Sequence, residues 1–200
     1  MRALLGSLVV VALCGSWLAA QKGSLDIYFI DVEGGGATLF VTPSTGSVLI
    51  DTGNGGAAAA RDVGRIMAAV KAAGLSRIDH LITTHWHGDH YGGMAELATR
   101  VPIVHFIDHG PSVESAATVV DFLQKTYPAL YAKGKHTVVK PGDTVAVPGL
   151  EWRVVASHGE AIKSALPGAG QPNDACASFK PQDPDKTDNA QSVGSLVTFG

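Results

Sequence analysis

Two hundred residues with 46% hydrophobic and 16% charged side chains can bury one core, which excludes a globally disordered chain. A net charge of −3 and a pI near 6.2 leave no basic face of the kind that grips nucleic acid tightly. Substrates held through metal ions stay open.

Residues 1–20 read as a secretory signal peptide: Arg2 supplies positive charge, Leu4 to Leu13 an apolar run, and Ser16 to Ala20 small residues near a cleavage point. The rival is an uncleaved N-terminal anchor, but the run is short for a membrane span. The expected location is secreted or periplasmic, with residues 21–200 as the folded domain. After cleavage Cys176 is the sole cysteine, so no internal disulfide can form.

Leu25 to Val32 alternates and reads as a strand. The Glu33-Gly34-Gly35-Gly36 turn, a strand over Ala37 to Thr42, a turn at Pro43 to Gly46 and a strand over Ser47 to Asp51 complete an antiparallel meander. Thr52 to Gly56 is a loop of low bulk that lets backbone come close to a neighbouring site. Val63, Ile66, Met67 and Val70 recur at helical spacing within Ala57 to Ala73, and Gly74 stops that helix. Ile78 to Thr83 is a short apolar strand.

That strand delivers the densest stretch of the chain, Thr84-His85-Trp86-His87-Gly88-Asp89-His90-Tyr91-Gly92-Gly93. Histidine and aspartate are the donors that zinc and other borderline metals take. In extended backbone, residues two apart point the same way, so His85 and His87 can hold one ion. Asp89 and His90 follow the Gly88 turn and can face a second.

Met94 to Arg100 reads as a helix and Val101 to Ile107 as a strand ending in Asp108-His109-Gly110. A long helix is expected over Ser112 to Lys133, with a stripe at Val113, Ala116, Val119, Val120, Leu123, Tyr127 and Leu130 and a break or kink at Pro128. Three short strands follow, at Thr137 to Val139, Asp143 to Val147 and Glu151 to Ala156. From His158 to Gln191 prolines and glycines break any period, which predicts a long functional loop. Ser192 to Phe199 resumes as a strand. His80, His105 and His136 lie in or beside apolar runs and read as structural histidines.

Three segments together resemble the metallo-β-lactamase superfamily, and within it the competence-protein ComEC/Rec2-like branch. They are Ile30 to Leu39, Val48 to Gly53 and Leu81 to Gly93, with Asp188 to Ser192 similar to the segment that opens the second sheet there. The resemblance implies an α/β fold, a four-layer αβ/βα sandwich with a dinuclear metal site, usually zinc, between two sheets. It implies His85 and His87 on the first metal and Asp89 and His90 on the second, Asp89 also orienting the nucleophilic water. It calls for a third histidine on the first metal at the end of a later strand. His158 fits, with His109 as competitor. Asp51 is implied as a support beneath the metal loop.

The family's bridging aspartate and final histidine have no counterpart here. The chain therefore resembles an N-terminal portion with the second sheet incomplete, a partial second metal site, and an exposed apolar edge at Ser192 to Phe199. The implied activity is metal-dependent hydrolysis by a metal-activated water, of phosphodiester or related bonds in a small molecule or a polymer. Hydrolysis of a lactam, lactone or thioester on the same fold is the alternative, and a non-catalytic metal-binding fragment the third reading. Zinc suits the histidines, and manganese or iron occupies similar sites. Oligomeric state has no signal in the sequence.

Overall fold

The computed structural model describes residues 23–200. The expected signal peptide lies outside the described residues. Among them no helix is long and apolar enough to cross a membrane.

Ten strands among the described residues form two sheets. The first has six strands in sequence order: β1 (Asp26–Phe29), β2 (Thr38–Val41), β3 (Ser47–Ile50), β4 (Ile78–Ile82), β5 (Ile103–Asp108) and β6 (Lys135–Val138). The meander expected over β1 to β3 is antiparallel, with Tyr28 opposite Leu39 and Leu39 opposite Leu49. From β3 onward the pairing is parallel, because helices carry each crossover. The second sheet runs β10 (Gly194–Thr198), β8 (Leu150–Ser157), β7 (Thr144–Val147), with the short β9 (Glu160–Ala161) folded against β8. This is the mixed α/β sandwich expected from the sequence. β10 is the edge of its sheet, and Leu196 on it and Phe199 just after it are exposed.

Alternation along the strands sorts side chains into two cores. Leu39, Leu49, Leu81 and Phe106 face the helices. Val48, Ile82, Ile107 and Trp152 fill the space between the sheets. Helix α1 (Ala59–Ala72) buries Val63, Ile66 and Val70, one turn apart, on the first core. It ends at Gly74 with φ +67°, where Leu75 N–H turns back to Val70 O at 3.0 Å.

Two expectations need correction. The helix predicted from Ser112 begins five residues later, as α4 (Ala117–Asp121). Ser112 Oγ and Val113 N–H both donate to Asp188 at 2.9 Å, and that tether holds Ser112 to Glu114 out of helical geometry. Val113 is consequently exposed and not part of the stripe. Nor does Pro128 break the helix. A π-helical turn over Phe122–Thr126 precedes α5 (Tyr127–Tyr131), and Pro128 sits in the first turn of α5. The wider turn takes up both the missing N–H and the ring. The segment from His158 to Gln191 is irregular as expected, apart from β9 and two 3₁₀ turns. Cys176 is exposed there and free.

Candidate metal centre

The parallel strands β3, β4 and β5 all end at the same edge of the first sheet, and the histidine segment leaves β4 there. Thr84 to His87 is extended. A single helical turn, α2 (Gly88–Tyr91), follows, and α3 (Met94–Arg100) after that. The extended stretch places His85 and His87 on one side, with His85 Nε2 and His87 Nδ1 3.2 Å apart. Two donors on a tetrahedral zinc with bonds of about 2.0–2.1 Å stand about 3.3 Å apart. On the helical turn, His90 Nε2 lies 3.7 Å from Asp89 Oδ2. The rings of His85 and His90 are 4.1 Å apart between centroids.

What decides the chemistry is the other nitrogen of each ring. His85 Nδ1 is 3.0 Å from Thr84 Oγ1, which donates to Asp51 Oδ2 at 2.7 Å. His87 Nε2 is 3.0 Å from Glu114 Oε1. His90 Nδ1 is 2.8 Å from Asp51 Oδ2. Each outer nitrogen is tied to an oxygen, and each inner one faces the cluster. Carboxylate and hydroxyl partners of this kind fix the tautomer and leave a lone pair on the inner nitrogen, the pattern of metal-ligating histidine. The donors are held as two pairs. No three His, Cys, Asp or Glu side chains among the described residues converge into one closed set.

Asp51 is buried and left-handed, at φ +60°. Its Oδ1 accepts from Thr84 N–H at 2.8 Å. Gly36 has no room for a side chain, since a Cβ there would lie 2.8 Å from Asp51 Oδ2 and 2.9 Å from His90 Nδ1. That approach accounts for the glycine run after β1. The Thr52 to Gly56 loop also closes on the site: Thr52 N–H donates to His90 O at 2.6 Å, and Gly55 N–H to Gly88 O at 3.1 Å.

Electrostatics distinguish the rings. Burial pushes the His85 pKa down, and the neighbouring His90 and His87 add to it. Burial also opposes charge on His90, but the hydrogen bond and charge of Asp51, with Asp89 behind, outweigh it and raise its pKa. The hydrogen bond from His87 holds Glu114 below the usual carboxylate range.

A second carboxylate was only dimly visible in the sequence. Asp188 is wholly buried and accepts four hydrogen bonds: from Trp86 N–H at 2.6 Å, His109 Nε2 at 3.1 Å, Ser112 Oγ and Val113 N–H. Burial alone would raise its pKa; those donors reverse the effect and lower it. Trp86, between the two histidines, is held at its other end by Gly110 O, 2.7 Å from Nε1. Glu114 gave no signal because it falls where helical spacing suggested a continuous helix.

His158, the expected third ligand, ends β8 with φ +53°. Its N–H donates to Gln191 O at 2.9 Å, and its ring lies 6.2 Å from that of His109. Among the described residues it does not join His85 and His87 in a set of three donors. The structural histidines behave as expected: His80 and His105 meet at 3.1 Å between Nδ1 atoms, and His136 Nε2 is 2.7 Å from Asp108.

The profile of the Metallo-beta-lactamase superfamily matches residues 31–162, more than half of the chain, and spans both donor pairs. The chain belongs to that superfamily. It is similar to the Lactamase-like protein nscB of Aspergillus fumigatus, 30% identical over 125 residues, covering 62% of this chain and 31% of the relative. It is also similar to Thioesterase pkgB of Emericella nidulans, 32% identical over 129 residues, covering 64% of this chain and 34% of the relative. The matched part of the chain spans about a third of either relative's whole length. Among solved structures, a subclass B3 metallo-β-lactamase from a soil metagenome, MEM-A1, aligns at 21% identity and TM-score 0.47, covering 68% of this chain and 51% of that one.

Proposed function

We propose that this superfamily member is a metal-dependent hydrolase whose site is built on His85, His87, Asp89 and His90. The observation that carries it is the anchoring of each imidazole, outer nitrogen tied to an oxygen and inner nitrogen turned to the cluster. When bound, zinc, or manganese or iron in its place, supplies a Lewis acid and lowers the pKa of water. The chain's own residues orient the donors. Asp51 holds His90 and, through Thr84, His85, while Glu114 holds His87. Asp89 sits on the exposed side of α2 and is assigned to orient the nucleophilic water. His158 is assigned to the first metal as its third histidine, the role the family resemblance implies.

Two bond classes compete. Phosphodiester or related bonds follow from the likeness of the glycine-rich and Asp188 to Ser192 segments to the ComEC/Rec2-like branch. Thioester, lactone or lactam bonds are favoured by two observations. One is the relative named a thioesterase. The other is a cavity of about 390 Å³ against Glu114, where Trp86, Val120, Leu123 and the two tyrosines Tyr127 and Tyr131 offer apolar surface to an acyl group beside the polar Asp108, Ser112, Gln124 and His136. The full chain, supplied with zinc or manganese, is assayed on bis-p-nitrophenyl phosphate, an aryl thioester and nitrocefin. Turnover of the phosphodiester alone supports the first class, and turnover of the thioester or nitrocefin alone sinks it. Equal metal content in the chain and in a variant carrying His85→Ala with His87→Ala would refute the site itself.

A further inference from the structure

Asp89 and His90 stand on α2, a single helical turn too short to hold its shape alone. Three consecutive carbonyls of that turn are bonded from outside it. Gly55 N–H donates to Gly88 O at 3.1 Å, Gly36 N–H to Asp89 O at 3.1 Å and Thr52 N–H to His90 O at 2.6 Å. The approach leaves no room for side chains. A Cβ at Gly35 would lie 2.1 Å from Asp89 O, and one at Gly92 2.1 Å from Gly55 N. Gly53 N–H donates to Gly36 O at 2.9 Å, which joins the two glycine loops to each other. The backbone that aims the second donor pair is therefore set by where the Thr52 to Gly56 loop lies.

Gly53, Gly55 and Gly56 bring that loop no side chains to pack, and Asn54 is what anchors it. Asn54 Nδ2 donates to Val32 O at 2.7 Å and to Asp62 Oδ2 at 3.0 Å, and Asn54 N–H donates to the same carboxylate oxygen at 2.8 Å. Asp62, in the first turn of α1, is wholly buried. Its Oδ1 accepts from Arg61 Nε at 2.7 Å. Burial alone would raise its pKa; the bonds from Arg61 and Asn54 reverse that and lower it. A Cβ at Gly53 would lie 2.8 Å from Asp62 Oδ2, so loop and carboxylate are in direct contact. Burying a charge is a poor route to stability, and its directed bonds are better suited to fixing one geometry.

The first donor pair is held by other means. Thr84 N–H goes to Asp51, Trp86 N–H to Asp188 and His87 Nε2 to Glu114. None of these bonds passes through Asn54 or Asp62. Resting on the reading of His85, His87, Asp89 and His90 as metal donors, we propose that Asp62 is the positioning residue for the Asp89 and His90 half of the centre. It acts through Asn54 and the Thr52 to Gly56 loop on the carbonyls of α2. Its reach is selective: without the link, Asp89 and His90 lose their aim at the second ion, and His85 and His87 keep the first.

The test follows the histidine ring nitrogens by nitrogen-15 spectra of the full chain during zinc titration. Urea unfolding of each metal-free chain runs beside it. In the parent, His85 Nε2, His87 Nδ1 and His90 Nε2 are expected to shift to the metal-bound range. Asp62→Ala removes the carboxylate and keeps a good helix former in α1. It is expected to leave the His85 and His87 transitions at the parent's zinc concentration and to move the His90 transition about tenfold higher. A general loosening of the fold would weaken all three rings together, and that result overturns the proposal. So does a His90 transition that stays at the parent's zinc concentration. Should Asp62→Ala not fold, Asn54→Ala, which cuts the loop from the carboxylate, decides by the same criteria. Failure of the underlying reading looks different, since then no ring of the parent shifts with zinc. A parent that binds zinc through all three rings, with variants that titrate as it does, removes Asp62 from the site and leaves the metal centre standing.

Discussion

Replacing Asp51 by asparagine should leave the fold standing and weaken metal binding. The carboxylate accepts from Thr84 N–H at 2.8 Å, from Thr84 Oγ1 at 2.7 Å and from His90 Nδ1 at 2.8 Å. Asparagine has nearly the same shape and tolerates the φ of +60°. Its carbonyl keeps the bond from Thr84 N–H. Its amide must now donate where the carboxylate accepted. Thr84 can rotate its hydroxyl to receive it, but His90 can accept only by moving its proton to Nε2. That removes the lone pair the cluster needs. Two charge-assisted bonds become neutral or are lost, a cost of about 2–3 kcal/mol in stability at net values of about 1–1.5 each. Loss of such a support lowers metal affinity by about 10–100-fold. Urea unfolding of the metal-free chain measures the first effect and zinc titration the second. Asp51→Ala should destabilise more, by about 3–5 kcal/mol, because it strands both partners. An Asp51→Asn chain that binds zinc as tightly as the parent would refute the role given to His90 Nδ1.

Glu114→Gln should lower zinc affinity about tenfold with little change in the urea midpoint, since the amide oxygen can still accept from Asp188 N–H at 3.1 Å while the charge behind His87 is lost; equal affinity would remove it from the site. Asp188→Ala strands four donors and should cost about 3–5 kcal/mol, read as a fall in the urea midpoint; a loss below about 1 kcal/mol would contradict its burial. His105 has its pKa pushed down to about 4, first by burial and then by Lys135. Unfolded, it takes up its proton near 6.5. The unfolded chain thus binds more protons between these values, and stability should fall as pH drops from 6.5 towards 4. Solvent screening of this partly buried ring limits the loss to about 1–2 kcal/mol. His105→Asn should flatten the urea midpoint across that window, and an unaltered slope would exonerate this ring.

What the sequence made readable was mostly local. The β1 to β3 meander, α1 with its Gly74 stop, α3 and the strand that carries the histidines follow from alternation, helical spacing and turn residues. The pairing of His85 with His87 follows from extended backbone two residues apart. Ser112 to Glu114 was misread for a reason periodicity cannot address. Its helical pattern is overridden by a carboxylate 76 residues away in sequence, as Ser112 bonds Asp188. Glu114 and Asp188 therefore stayed hidden as supports, although Pro111-Ser112 before the apolar stripe, and the isolated Asp188-Asn189 after a loop, were the available hints. His158 was legible as a residue ending a strand, but not its left-handed backbone, at φ +53°.

Asp188 links these observations. It opens the 3₁₀ turn over Asp188–Gln191 that leads into β10 in the second sheet, yet every bond its carboxylate accepts comes from loops at the strand ends of the first. Beside it, Val193 N–H donates to Thr84 O at 2.8 Å and His158 N–H to Gln191 O at 2.9 Å. One short segment thus touches Thr84 and Trp86 on either side of His85, the His109 ring, the Ser112 turn and the His158 backbone. The loop that carries His85 and His87 is thus held from both sheets, by Asp51 of the first and by the Asp188 segment of the second. The inter-sheet core of Val48, Ile82, Ile107 and Trp152 drives that docking through apolar burial. The geometry of the donors is therefore coupled to packing at some distance from them. A core change at Trp152 should loosen metal binding along with stability, whereas a change on the solvent face of α1 should not.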